Sequence, residues 1–273
     1  MNRRGHIRRP LWFAPLVSLL LLFTTSMAFA AQPEDVTFPS GKLTLHGFLY
    51  RPAGSGPFPA ILYNHGSERQ PGPKLGLARV FTDKGFVFFL PHRRSHGRAP
   101  NDSFVDLLYE RGDAGRVTLH EIHIEDQLAA LQYLKQLSYV DLNKIAVAGC
   151  SYGGIQTVLA VEANAEQKLG LRAAIDFAGG AMSWRSQSLR NRMVSAIRKA
   201  SIPVMLIQAE NDYDIGSSKT LANELERLGK PHNLMIFPPY GQTREEGHGG
   251  FRSRGGDVWG AAVFSFLEGA MGQ

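Results

Sequence analysis

One cysteine, Cys150, in 273 residues excludes an internal disulfide. The fold must therefore hold by core packing and hydrogen bonds. Internal repeats and low-complexity tracts are also lacking, which excludes solenoid and tail-like architectures. No linker-like stretch divides the chain. The apolar run Leu11 to Phe23 falls short of the ~20 residues that a membrane-spanning helix needs. No cysteine follows that run, which speaks against a lipid-anchored product. A real excess of positive charge is missing too. Lys and Arg number 30 against 24 Asp and Glu, but four of the arginines fall in the first thirty residues, which carry no acid. The remainder has 26 against 24, a net of +2, so a nucleic-acid-binding surface is not expected.

What the first thirty residues do contain is a leader pattern. Arg3, Arg4, Arg8 and Arg9 precede the apolar run, and Ala28-Phe29-Ala30 is a small-x-small cleavage signal. A secretory signal peptide over 1–30 is expected, with cleavage after Ala30. Residues 31–273 are then expected to form one domain in the periplasm or outside the cell, with no stable membrane anchor. That length suits a single α/β domain with a large core.

Along this part, fully apolar segments alternate with helical ones. Ala60–Tyr63, Phe86–Leu90, Ile145–Ala148, Ala173–Phe177, Val204–Gln208 and Asn233–Phe237 read as buried strands. Thr37 to Arg51, turning at Gly41, reads as a hairpin. Helices are expected near 72–82, 119–137, 155–165, 221–228 and 258–267. Strands apolar on both faces, separated by helices, predict a parallel sheet covered on both sides. Trp184 to Ala200, with four arginines, reads as a surface helix rather than a lid over a site.

Gly149-Cys150-Ser151-Tyr152-Gly153-Gly154 stands between a predicted strand and a predicted helix. A serine there, flanked by glycines, is a nucleophile elbow: the turn is so tight that only small neighbours fit. Ser151 is the candidate nucleophile. Cys150, at the end of a buried strand, reads as a packed small residue. In parallel sheets functional groups gather after the carboxyl ends of strands. After 204–208 comes Glu210-Asn211-Asp212-Tyr213-Asp214. Asp212 is the expected orienting carboxylate, with Asp214 in reserve. After the last strand, Gly247-His248-Gly249 places a glycine-flanked loop histidine, and imidazole can take and return a proton near neutrality. Ser, Asp, His is the chain order of α/β-hydrolases. Asn64-His65-Gly66-Ser67 follows an earlier strand. Acyl transfer needs N–H donors aimed at a developing oxyanion, and Ser67 and Tyr152 are the expected ones, with His65 helping to hold the loop.

These segments resemble the dienelactone hydrolase family of α/β-hydrolases, whose neighbours include the prolyl-oligopeptidase-type peptidases. The likeness spans roughly Thr37 to Leu267. It rests on Tyr63-Asn64-His65-Gly66-Ser67, on 149–154, on Asp212 and on His248. It includes Pro91-His92-Arg93-Arg94-Ser95-His96-Gly97, similar to a Pro-Asp-x-Arg-Gly-x-Gly loop of that group. The resemblance implies an eight-stranded, mostly parallel sheet with helices on both faces. It also implies cofactor-free and metal-free hydrolysis through an acyl-enzyme. Dienelactone hydrolases proper carry cysteine at the nucleophile position, where this chain has Ser151. A serine esterase acting on a small-molecule ester is therefore expected first. A serine exopeptidase and a non-catalytic binding protein are the alternatives. His65 and Arg94 are candidate substrate groups. The cluster His120, Glu121, His123, Glu125 and Asp126 lacks zinc-protease spacing, since its histidines stand three apart, and reads as a polar helix face.

Overall fold

The computed structural model of the protein describes Met1, residues 32–98 and residues 104–272. The expected leader and its cleavage site, apart from Met1, lie outside them. The chain runs β1 (Glu34–Ser40), β2 (Leu43–Tyr50), β3 (Phe58–Asn64), α1 (Leu75–Thr82), β4 (Val87–Pro91), α2 (Phe104–Lys135), β5 (Val140–Cys150) and α3 (Tyr152–Gln167). It continues through β6 (Leu171–Phe177), α4 (Gln187–Ile197), β7 (Val204–Ala209), α5 (Gly216–Arg227), β8 (His232–Phe237), α6 (Phe251–Arg254) and α7 (Gly256–Met271).

Among the described residues there is one eight-stranded sheet, in the order β1-β2-β4-β3-β5-β6-β7-β8. The first hairpin and the β2–β4 pairing are antiparallel. Every later pairing is parallel. This is the α/β-hydrolase fold.

The uniform apolarity of the central strands follows from burial on two sides. Strand side chains alternate between faces. Leu62, Val147, Ala174 and Leu206 pack on one face, with Leu131 and Leu134 of α2, Val158 of α3, Leu189 of α4 and Leu221 of α5. Their neighbours Ile61, Ala148, Ile175 and Ile207 pack on the other, with Phe81 of α1 and Trp259, Val263 and Leu267 of α7. Trp259 is fully buried against Phe177, ring centroids 5.1 Å apart. Burial of such a side chain contributes about 1.5–3 kcal/mol.

One element departs from the sequence reading and another agrees with it. Helix α2 begins at Phe104, well before the expected start, and is kinked at Gly112 (φ 63°, ψ −162°), whose dihedrals are not helical. The 184–200 segment holds α4, whose Leu189, Met193, Ala196 and Ile197 are fully buried in the core. It is a helix of the body rather than a cover.

Asp176 on β6 is fully buried, with its Oδ1 accepting the Gly179 N–H at 2.7 Å. Burial, opposed by that hydrogen bond and reinforced by Asp212, pushes its carboxyl up to about 7. In an unfolded chain an aspartate titrates near about 4. Between those pH values the folded chain keeps a proton that the unfolded chain has lost. Stability therefore falls as pH rises through this window. Asp176→Asn, which keeps the acceptor, should flatten the dependence between about pH 4 and 7. Urea-unfolding midpoints for both proteins would test this, and parallel curves would refute it.

Candidate active site

Ser151 sits between β5 and α3 with φ 58° and ψ −117°. A non-glycine residue there carries strain of about 1–3 kcal/mol. The neighbours hold it in place. Its N–H donates to the Phe177 carbonyl at 2.9 Å, and its carbonyl accepts from Ile155 at 3.1 Å. A methyl group at Gly149 would overlap the Gly153 carbonyl, and one at Gly153 would overlap the Asn64 carbonyl. Both glycines are therefore demanded by close backbone approach. They bring the start of α3 against the end of β3. Ser151 is partly exposed at the carboxyl edge of the sheet, while Cys150 is buried and burial pushes its thiol up to about 12. Such a thiol is a packing group, not a nucleophile.

Asp212 follows β7, three residues beyond its end. Its Oδ1 lies 2.8 Å from His248 Nδ1 and also accepts the Tyr213 N–H at 2.6 Å. A carboxylate only accepts, so Nδ1 carries a hydrogen, and in the neutral ring the lone pair is then on Nε2. Nε2 is buried, with no hydrogen-bond partner among the described residues. Asp214 is committed elsewhere, its Oδ1 accepting the Gly216 N–H at 2.7 Å.

His248 is not in an open loop. It lies in a π-helical turn, Glu246–Gly250, that leads into α6. Asn211 locks this turn to the β7 edge. Its amide donates to the carbonyls of Tyr240 (3.0 Å) and Thr243 (2.9 Å), and its Oδ1 accepts from Tyr240 N–H (2.9 Å). Gly247 packs directly on that amide. Nothing in the sequence singled out Asn211 beyond its place next to Asp212.

The β3 loop His65-Gly66-Ser67 runs beside the elbow. Gly66 faces the Cys150 carbonyl, and Gly153 faces the carbonyls of Asn64 and His65. Ser67 is exposed, and Tyr152 is the first residue of α3. Arg93, 1% exposed, reaches this loop from the segment after β4. Its Nη2 donates to the carbonyls of His65 (2.9 Å) and Gly66 (2.8 Å), and its guanidinium lies 5.1 Å from the Tyr152 ring centroid. Around it stand His65, His96, His120 and His123. Burial first, and then the Arg93 charge, hold all four below the usual histidine range, His96 at about 3. His120 stacks on Tyr152 at 3.9 Å, and His123 Nδ1 lies 3.0 Å from the Tyr152 hydroxyl.

The two expected substrate groups have other duties. His65 is fully buried, with Nδ1 2.9 Å from the Gly66 carbonyl, so it braces the loop. Arg94 closes on the buried Asp126 through Nε (3.0 Å) and Nη2 (2.7 Å), with Glu125 at 3.1 Å. That ion pair ties the β4 loop to α2 and takes up the guanidinium. The histidine-acid cluster of α2 is likewise dispersed: His120 and His123 face Tyr152, Glu121 pairs with Arg192, and Asp126 with Arg94.

A cavity of about 260 Å³ opens at the same sheet edge, among Trp184, Arg185, Tyr213, Asp214 and Arg244. The Tyr213 ring stands 5.4 Å from that of His248. Larger grooves of about 440 and 560 Å³ lie against α7, and none of the residues just described lines them.

Residues 77–174 match the prolyl oligopeptidase family. Over 239 residues the chain is 27% identical to dipeptidyl peptidase 8 of Mus musculus, covering 76% of this chain and 26% of that protein. Over 140 residues it is 32% identical to esterase EstD of Thermotoga maritima, covering 46% and 28%. The acylaminoacyl peptidase of Pyrococcus horikoshii superposes with a TM-score of 0.67 at 18% identity, over 90% of this chain and 42% of that one. The chain thus spans only a quarter to a third of these curated relatives. The segment that matches the prolyl oligopeptidase family carries the elbow itself, and the whole chain has the α/β-hydrolase fold.

Proposed function

We propose that the protein is a serine hydrolase that cleaves carboxylic esters through Ser151, His248 and Asp212. The observation that carries this is the His248–Asp212 contact at the edge where the strained Ser151 is presented. In the proposed reaction the Ser151 Oγ attacks the ester carbonyl carbon as its proton passes to His248 Nε2. The tetrahedral oxyanion is held by the N–H groups of Ser67 and Tyr152. Its collapse breaks the bond to the alcohol, which leaves with the proton from His248. Water then attacks the acyl-enzyme by the same route, releasing the acid and restoring Ser151. Asp212 keeps the imidazole in the tautomer whose Nε2 accepts. The likeness to an esterase supports the ester reading. Export after cleavage at Ala30, with 31–273 as the catalytic unit, is part of the proposal and rests on the leader pattern.

One observation favours a second reading, a serine exopeptidase. Such an enzyme needs a carboxylate to grip the substrate amine, and Asp214 lines the cavity beside Tyr213. The likeness to a dipeptidyl peptidase agrees with it.

Ser151→Ala should abolish labelling by a fluorophosphonate probe and lower ester turnover by up to ~10⁶-fold with the fold intact. A loss below tenfold would end the nucleophile assignment, and absence of wild-type labelling would favour a binding protein. Asp212→Asn should cut kcat by about 10³–10⁴-fold, because it releases the imidazole tautomer. Asp214→Asn should leave p-nitrophenyl ester kcat within a few-fold, and the reverse ranking would move the orienting role to Asp214. A panel of p-nitrophenyl esters and aminoacyl amides separates the two substrates. Esters should dominate kcat/KM. Faster amide turnover, with a KM that rises in Asp214→Asn, would establish the exopeptidase instead.

A further inference from the structure

Arg93 is the buried charged group that the proposed chemistry does not touch. Its guanidinium makes no ion pair with a carboxylate among the described residues, and its Nε and Nη1 have no hydrogen-bond partner there. The rings closest to it belong to neutral histidines and to Tyr152. Its own pKa, lowered by burial, stays near about 10, so the charge is present at neutral pH. A buried cation without a direct ion pair is costly, and only the more distant carboxylates of Glu68 and Asp126 offset it. What it holds in return is specific.

The Gly66 carbonyl that accepts from Arg93 Nη2 belongs to the same peptide plane as the Ser67 N–H. A trans peptide is planar, with its C=O and N–H pointing in opposite directions. Fixing the oxygen therefore fixes the direction of the Ser67 N–H. A charged donor on the oxygen also polarises the unit and strengthens the hydrogen bond that its N–H can give. Nη2 holds the preceding plane in the same way through the His65 carbonyl. The guanidinium meanwhile lies over the ring of Tyr152, the residue that supplies the other donor.

We propose that Arg93 is a positioning residue for the oxyanion hole: it grips the far side of the Gly66–Ser67 peptide and so orients and polarises the Ser67 N–H. This rests on the serine hydrolase reading above. Arg93 touches no substrate in this scheme. Its effect appears only where negative charge builds up on the carbonyl oxygen. Substrate and product, which lack that charge, should bind as before.

The test compares the wild type with Arg93→Gln and Arg93→Lys, using a p-nitrophenyl ester, a boronic acid that forms a tetrahedral serine adduct, and the carboxylic acid product as a ground-state inhibitor. Fluorophosphonate labelling of the wild type is checked first: its failure sinks the hydrolase reading and the role of Arg93 with it, whereas a labelled enzyme with unchanged Arg93 variants sinks that role alone. For Arg93→Gln we expect kcat to fall about 10–100-fold with KM within twofold, somewhat less than loss of a whole oxyanion donor. Boronate affinity should fall by the same factor, and product affinity should not change. Arg93→Lys keeps the charge but not the two-carbonyl grip, and should lie between. A folded variant with wild-type kcat, or one whose loss appears in KM and product affinity, would overturn the proposal. Should Arg93→Gln fail to fold, Arg93→Lys decides by the same criteria. Failure of both to fold would reduce Arg93 to a structural residue and also overturn it.

Discussion

The backbone contact between the start of α3 and the end of β3 governs the rest of the site. At Gly153 the helix meets the Asn64 and His65 carbonyls with no room for a side chain. This contact, with Gly149 against Gly153, leaves Ser151 no relaxed path from strand to helix. The strain at Ser151 is offset by packing that any relaxation would break. The same contact draws the 65–67 loop alongside the elbow. One steric constraint thus brings together the hydroxyl, the N-terminus of α3 and the loop that bears Ser67.

That closeness creates a second problem, which the molecule solves with charge. A loop drawn under a helix start buries carbonyl groups, and buried carbonyls must find donors. The β4 loop supplies them through Arg93. Its neighbour Arg94 turns the other way, to Asp126, whose Oδ1 also accepts from Ser40. Adjacent arginines thus divide the work. One anchors the loop to α2 through a carboxylate, and the other carries a charge with no direct ion pair among the described residues to the backbone beside Ser151. The histidines around Arg93 stay neutral because a second buried cation there would have no compensation.

How much of this could be read in the sequence depends on whether a residue's role is set by its place in the sheet. The serine, the aspartate and the histidine each follow a strand, and a parallel sheet sends every strand's carboxyl end to one edge. The meeting of Asp212 with His248 was therefore legible from apolar runs and chain order, as was the place of Ser151 at the end of a strand. The same logic cannot say which of Arg93 and Arg94 points inward, since both follow β4 and the loop's path decides. Nor does it reveal the π-helical turn around His248, because glycine on either side reads as loop until Asn211 is seen to close the turn against β7. The early start of α2 was not legible either; the helix is kinked at Gly112, whose dihedrals are not helical.

Asp176 shows how far such constraints extend beneath the edge. Its carboxylate fills the space between Gly154 and Gly179, one strand over from Ser151, and Asp212 adds a repulsive field. Were it ionised, a buried negative charge would lie under the start of α3 and would oppose the oxyanion of the proposed reaction. Burial raises its carboxyl to about 7, so below that pH the penalty is absent while Oδ1 still accepts the Gly179 N–H. Positive charge on Arg93 and suppressed charge on Asp176 thus act in the same sense. Both would favour the oxyanion of the proposed reaction, while Asp212 bonds to His248 and to the Tyr213 N–H.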